Sequence, residues 1–598
     1  MRAMKKNIFL LLALFAASSC NKDYLNKLPL DQLTEATAFK TADNFRTYLW
    51  GCYGILPEYG IDAPAGELNS DNMVNGYNVA NKSPYAFQLK IIPTNTAGTQ
   101  WDFTFIRRIN VMLDNIDQSA MSQTDKDHYR SVGYFFRAYR YYDMLAAYGD
   151  IPWIEHKVTD TSVSVLFGPR TPRDEVAKNI LDNLVWAESH IKTDGDGPNT
   201  INVHVVRALL SRFGLFEGTW RKYHQLPQAE VYLNACKTYS EKLISSFPAV
   251  MGSYDDVFNS EDLIGKPGII LARQYITGQT GHNATRFVRT SSWGTDLSKD
   301  AVESYLCTDG RPVSTTTTGY SDSTMNAEFR KRDRRLYFTV LPPYRVIASG
   351  QVTTYTRTSV PSDYEFIDFM ATLPGNDATR KRLPVTNWAG YYLYRAPHFL
   401  NDKTPGAQGF MNTATGYYYY KPYNTFTDVS TTGVATTDFP VFRIEEVMLN
   451  YAEAMWELGA FSQGIADITI NKLRPRAGLP AMTVAAIDAN FDAKRDPDVN
   501  PVLWEIRRER RVELMGDGFR FNDLKRWKKG IYFNKQLLGA KVKVSDYGAG
   551  TPITLNSSGS VVYYPVPVGW LDKYYNEPVP LEEMQLNQNL VQTTGWSN

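Results

Sequence analysis

Two polar stretches of this 598-residue chain alternate amides with aromatic rings. Residues 71–87 read DNMVNGYNVANKSPYAF and place Asn75, Tyr77, Asn78, Asn81 and Tyr85 close together. Residues 282–293 read HNATRFVRTSSW and offer Asn283, Arg286, Arg289 and Trp293. Ring faces cover the C–H side of a sugar, while planar amides and guanidinium forks pair with its hydroxyls. A concave site with a few well-placed polar groups would serve that chemistry. These residues are the candidate ligand contacts. Loop packing is the competing use of the same side chains, and Phe287 or Trp293 would serve equally well as plugs of the body. The run NWAGYYLY at 387–394 is a third, weaker candidate.

No residue set nominates a catalyst. The seven histidines form no HExxH pair and the chain has no CxxC, so a zinc site lacks support. P-loop, GxSxG and dinucleotide glycine motifs are also missing. The run DGDG at 194–197 superficially suggests calcium, but an EF-hand wants an acid eleven residues after Asp194, where Val205 stands. An inter-helix loop is the better reading. Glycoside hydrolysis needs two carboxyls at a defined separation, and none of the 63 acidic residues is singled out for it. The expectation is a binding protein without catalytic residues, cofactor or metal.

The elements that must position these loops are mainly helical. Phe39, Phe45, Leu49, Tyr53 and Leu56 share one apolar face after a capping region at 41–44. Trp101, Phe105, Ile109, Met112, Leu113 and Ile116 share another. Further helices are expected over 125–148, from Thr171-Pro172 onward, over 203–223 and over 228–246. Interleaved alanines (Ala138, Ala146, Ala147, Ala208) resemble degenerate tetratricopeptide packing, although no strict 34-residue period is visible. Across 248–438 helical periodicity fades and Gly, Thr, Ser and Pro rise, so short strands and irregular structure are expected. Helices return at 441–458, 462–474 and 502–515.

The densest charge lies in the last of these. Residues 501–530 read PVLWEIRRERRVELMGDGFRFNDLKRWKKG. Glu505, Glu509 and Glu513 recur every four residues and share a helix face. Glu505 with Arg508, and Arg510 with Glu513, are spaced for pairs worth about 0.2–0.5 kcal/mol each on an exposed helix. Gly516 and Gly518 end the helix, and Asp523 is placed to cap a turn at 524–527. The pattern points to structure, either a solvated face or a clamp onto neighbouring segments.

The N-terminus reads as an export signal. Arg2, Lys5 and Lys6 precede an apolar run over 8–17, too short for the ~20 residues a membrane span needs. Ala17-Ser18-Ser19-Cys20 then places a cysteine after small residues, the lipoprotein layout in which the Cys20 thiol is acylated. The expected segments are a signal peptide (1–19), a lipidated tether (20–34), an N-terminal helical part (35–247), an irregular ligand-binding part (248–438) and a C-terminal helical part (439–598). Without the signal the chain carries 61 basic and 63 acidic residues. That balance argues against nucleic acid and leans toward neutral sugars unless a local basic patch reverses it. Cys52, Cys236 and Cys307 are too scattered for a disulfide framework and read as small buried residues.

Ordered motifs add a resemblance. The 501–530 segment, with ERRVEL followed by GFR and DLKRW, resembles the C-terminal signature of the SusD/RagB family of Bacteroidetes outer-surface lipoproteins. FFRAYRYYDMLAAYGDIPWI at 135–154, TPRDEVAKNILDNLVWA at 171–187, Asp309-Gly310, RDRRL at 332–336, TGYYYYKP at 415–422, FPVFRIEEVMLNYAEAMWELG at 439–459 and INKLRPRAGLP at 470–480 follow in the family's order. Tyr564–Pro567 and Asn587–Asn589 close the series. The resemblance implies a SusD-like, mainly α fold: a tetratricopeptide-type scaffold carrying an irregular part with short strands. It also implies a cell-surface protein, lipid-anchored to the outer membrane, that captures an oligo- or polysaccharide and delivers it to a SusC-like TonB-dependent transporter. The alternative is a helical-repeat scaffold binding a protein or peptide, and a glycoside hydrolase is the least favoured reading.

Overall fold

The computed structural model describes residues 38–59, 67–76, 78–290, 294–348, 353–375, 381–406, 409–426 and 433–596. Cys20 with the whole signal and the whole tether, and the candidate residues Tyr77 and Trp293, lie outside the described residues.

The chain is mainly helical. Ten helices carry the argument: α1 (Ala42–Trp50), α2 (Thr104–Asn115), α3 (Gln123–Tyr148), α4 (Arg173–His190), α5 (Val203–Tyr223), α6 (Ala229–Ser246), α7 (Ile444–Glu457), α8 (Ile470–Ala477), α9 (Pro501–Glu513) and α10 (Arg520–Arg526). Their starts follow local chemistry. Thr41 and Asn44 cap α1 reciprocally, and the Ser122 and Asn202 side-chain oxygens accept backbone N–H groups of α3 and α5. Asn500 caps α9, whose first residue is Pro501, a position where the missing N–H costs nothing. The α3 helix ends at Gly149, at φ 73°.

Consecutive helices pack as pairs, α3 on α4 and α5 on α6. Gly214 and Gly218 make the second pairing possible, because a Cβ at Gly214 would lie 2.7 Å from the backbone of Tyr232 and Cys236. The α7 helix returns from the far end of the chain to pack on both α5 and α6. Two large cores result. One extends from Phe39 to Leu590 through the helices, and the other joins Met73, the segment 251–346 and the Tyr417–Tyr423 run. The α9 helix lies at their seam, with Ile506 in the first core and Val512 in the second. Cys52, Cys236 and Cys307 are buried and unpaired.

Strands are short. β1 (Met73–Asn75) pairs with β3 (Thr295–Leu297), β2 (Ile269–Arg273) with β7 (Phe439–Arg443), β4 (Tyr344–Ile347) with both β5 (Thr356–Arg357) and β6 (Arg395–Ala396), and β8 (Leu538–Lys541) with β9 (Ser560–Val562). All pairs are antiparallel. The expected helix from 441 therefore begins later, because residues 439–443 are taken by the ladder to β2. The expected helix over 462–474 divides at Thr469, which has a non-helical backbone.

The charged helix is not a solvated face. Glu505, Glu509 and Glu513 are all buried. Glu513 accepts from Arg335 (2.9 Å), Arg443 (2.7 Å) and Arg476 (2.6 Å), while Glu509 meets Arg335 and Arg474. The Glu505–Arg508 pair forms as spaced, at 3.0 Å. Arg510 instead bonds Asp523 (2.8 Å), so Asp523 sits inside α10 as an ion partner and caps nothing.

Candidate ligand-binding surface

The short β1–β3 ladder determines where the two amide–aromatic stretches meet. Asn75 faces Thr295 in register, and the Gly76 N–H donates to the Gly294 carbonyl at 2.6 Å. Position 76 requires glycine for space, since a Cβ there would lie 2.5 Å from Asp296 Oδ2. Asp296 is buried, and its Oδ2 accepts the N–H groups of Ala414 (2.6 Å) and Thr415 (3.2 Å). Burial outweighs those donors and raises its pKa to about 6.

In the first stretch, the Asn75 N–H donates to the Tyr564 hydroxyl (3.0 Å), and Asn75 Oδ1 accepts the Asn78 N–H (3.0 Å). Asn78 Oδ1 accepts from Ala80 and caps the turn Val79–Asn81. The side chains of Asn78 and Asn81 stand on the exposed side of this loop, and Asn75 is half-buried. Tyr85 departs from the expectation. Its ring is buried among Phe521, Trp570 and Tyr574, and its hydroxyl donates to Glu577 at 2.5 Å. The alternation of amides and rings continues past Lys82 into a segment that packs on the C-terminal aromatics, so Tyr85 belongs to the core.

The second stretch forms a short helix, Ala284–Thr290. Asn283 is half-buried and its Oδ1 accepts the Gly433 N–H (2.8 Å). Arg286 is half-buried. Arg289 is also a correction: it is buried, and its guanidinium donates to the carbonyls of Asn387 (2.9 Å) and Asn424 (3.4 Å). Both terminal nitrogens of this guanidinium are engaged by backbone carbonyls, so it positions loops.

What Arg289 holds is the third run. Thr386 and Tyr392 bridge, and the Asn387 N–H donates to the Tyr391 carbonyl (2.9 Å). Asn387 Oδ1 accepts from Ala389 and Tyr391, and Gly390 supplies the positive φ of 83° that the tight turn needs. Trp388 stands at the tip, 45% exposed. Beside it Tyr355 meets Tyr392 edge-on at 5.0 Å, both half-buried. The three loops are thus joined through Gly294 and Arg289, and the exposed ring among the described residues of these loops is Trp388. By sequence pattern alone its run is the weakest of the three. The Asn-Trp-Ala-Gly turn is the available signal, because a three-residue tip closed by a left-handed glycine between strand-like residues leaves a large ring in solvent.

The DGDG run is tied to α3. Asp196, in the DGDG run, accepts from the Tyr129 hydroxyl (3.1 Å) and lies 3.4 Å from His128. Among the described residues no cluster of acids, histidines and cysteines is arranged to hold a metal ion. No helix among them is long and apolar enough to cross a membrane.

Comparison with known families decides the identity of the scaffold. The family model described as "SusD family" matches residues 270–596. This chain belongs to the SusD family. A second model, "Starch-binding associating with outer membrane", matches residues 61–215. SusD-like protein P25 of Formosa agariphila is 23% identical, covering 98% of this chain and 97% of that protein. A SusD-like protein of Bacteroides fragilis superposes with TM-score 0.67 at 18% identity, over 95% of this chain and all of that one. A SusD-like carbohydrate-binding protein from the same organism gives TM-score 0.66 at 19% identity, over 93% of this chain and all of the other. The SusD-like, mainly α fold expected from the motifs is the observed one.

Proposed function

We propose that this chain captures an oligo- or polysaccharide at the cell surface and performs no chemistry on it. Membership of the SusD family carries the reading, supported by an exposed ring at the tip of a hydrogen-bonded hairpin beside loops that present amides. In this reading Trp388 supplies the stacking face, and Asn78 and Asn81 supply hydroxyl partners. Tyr77, Trp293, Asn75, Asn283 and Arg286 remain candidate contacts from the sequence, while Tyr85 and Arg289 support the loops. Acylation at Cys20 anchors the protein to the outer membrane, and a SusC-like TonB-dependent transporter receives the ligand.

Affinity electrophoresis of the soluble protein (residues 21–598) against a broad polysaccharide panel tests the central claim. At least one glycan is expected to retard it. Trp388→Ala should weaken that binding by about tenfold, the loss of one aromatic face of ~1.4 kcal/mol, with an unchanged melting temperature. No retardation by any glycan sinks the reading, and release of reducing ends from a bound glycan sinks its non-catalytic part. Copurification with a large outer-membrane barrel under mild detergent tests the transporter partnership.

A further inference from the structure

Basic side chains inside this molecule are matched with care. Arg335, Arg443, Arg476, Arg508 and Arg526 all end on carboxylates. Others, such as Arg289 and Arg332, end on backbone carbonyls, and one cleft gathers several cations without a carboxylate partner. It has a volume of about 350 Å³ and lies between the β4–β6 ladder, the short helix Met325–Phe329 and the segment after β8. Two of its cations are neutralised, Arg330 by Glu365 (2.9 Å) and Lys541 by Asp322 (3.0 Å). Three are not. Asp363 and Asp546 also line the cleft, but among the described residues no carboxylate lies within ion-pair distance of Arg345, Arg395 or Lys543.

The register sharpens the anomaly. Arg345 and Arg395 are direct partners across the antiparallel β4–β6 ladder. Directly opposed residues hold their Cβ atoms about 5 Å apart on one face, where like charges are destabilising. Arg395 is buried, and it is held in place without being neutralised. Its guanidinium donates to the Asp546 carbonyl (2.6 Å) and lies 4.1 Å from the centre of the Tyr547 ring. Arg345 and Lys543 are exposed at the rim. A buried, pre-oriented fork beside two free cations is an arrangement that an oxyanion would complete, through charge-assisted and bidentate hydrogen bonds.

We propose that this cleft binds the anionic group, a carboxylate or a sulfate ester, of an acidic polysaccharide. The inference rests on the glycan-binding reading above and adds the class of glycan. The hairpin tipped by Trp388 runs through Leu393 and Tyr394 directly into β6, which carries Arg395. One sugar chain passing over the hairpin therefore has a ring to stack on and, further along, a cationic cleft for its acid group. The near-neutral balance of the whole chain is no obstacle, because the cations of the cleft, Arg330, Arg345, Arg395, Lys541 and Lys543, still outnumber the carboxylates Asp322, Asp363, Glu365 and Asp546 in and beside it.

The double variant Arg345→Ala/Lys543→Ala removes two exposed side chains with no ion-pair partner among the described residues and should fold like the parent. Binding of both proteins is measured by affinity electrophoresis and calorimetry with polygalacturonate (carboxylate), ι-carrageenan (sulfate ester) and laminarin (neutral). The expected result is that the parent binds one of the two acidic polymers, that the double variant binds it at least tenfold more weakly at an unchanged melting temperature, and that added salt weakens the parent in the same direction. The preferred polymer tells carboxylate from sulfate. Undiminished binding of an acidic polymer by the variant, or binding of laminarin alone, overturns the inference and leaves glycan capture standing. Failure of every glycan in the wider panel overturns both.

Discussion

Glu513 is a buried carboxylate on which Arg335, Arg443 and Arg476 converge from three separate parts of the chain. Burial on its own would raise the pKa of this group, but the Arg476, Arg443 and Arg335 guanidiniums outweigh it and hold the carboxyl at about 2. A folded-state pKa below the unfolded one adds stability above about 4.5, which is lost as pH falls toward 2. Glu513→Gln leaves three guanidiniums short of one negative charge, so a loss of about 3–5 kcal/mol is expected at pH 7. Denaturant unfolding reads this directly. The gap between the two proteins should narrow below pH 4.5, and a gap independent of pH would show that Glu513 is not ionised in the fold. The four-residue recurrence of Glu505, Glu509 and Glu513 was legible in the sequence as one helix face. Its burial was not, because the same spacing serves a solvated face and the partners lie far away in the chain.

At the scale of elements, the ladder of β1 with β3 does more than its length implies. Three residue pairs bring the amide–aromatic loop at 71–87 beside the helix Ala284–Thr290 and, through Arg289, beside the Trp388 hairpin. Gly76 admits this pairing by leaving room for the Asp296 carboxyl. Gly76→Ala forces a methyl group to within 2.5 Å of Asp296 Oδ2, which is held by two backbone amides and has little freedom to withdraw. The expected cost is about 1–3 kcal/mol. Faster hydrogen exchange at Gly76 and its neighbours in β1 and β3 should accompany it, with weaker glycan binding. Unchanged exchange across the ladder would mean that the loops are held by other contacts. The long helices were legible because a period near 3.6 persists over several turns. The three-residue strands were not, since so short a run has no periodicity to read. Residues 439–443 show the same limit: their strand state depends on β2, far earlier in the sequence. Tyr85 and Arg289 were misread for a related reason, because ring and guanidinium types are shared by ligand contacts and by the packing that supports them.

Taken whole, the molecule closes on itself from both ends. The α7 helix packs on α5 and α6, Arg212 of α5 pairs with Glu446 of α7 (2.7 Å), and Arg526 of α10 reaches Glu453 of α7 (2.6 Å) and the Thr219 hydroxyl of α5 (3.0 Å). The β2–β7 ladder ties the irregular middle to the start of α7. A fragment ending at residue 247 would keep helices with strong local signals but lose Glu446, the carboxylate that neutralises Arg212, and one starting at 439 would expose Glu446 and the apolar face of α7. Unpaired charge that stays buried is costly, and the apolar area left open is large, so neither piece retains the surplus that stabilises a domain. Each fragment expressed alone should therefore show helical circular dichroism without a cooperative thermal transition, and limited proteolysis should degrade both. Mixing the separately purified pieces with 248–438 should restore a cooperative transition only when all three parts are present. A sharp unfolding transition in the isolated 439–598 fragment would show instead that the C-terminal helices form an independent unit, and that the ion pairs to α5 decorate an interface and do not hold one fold together.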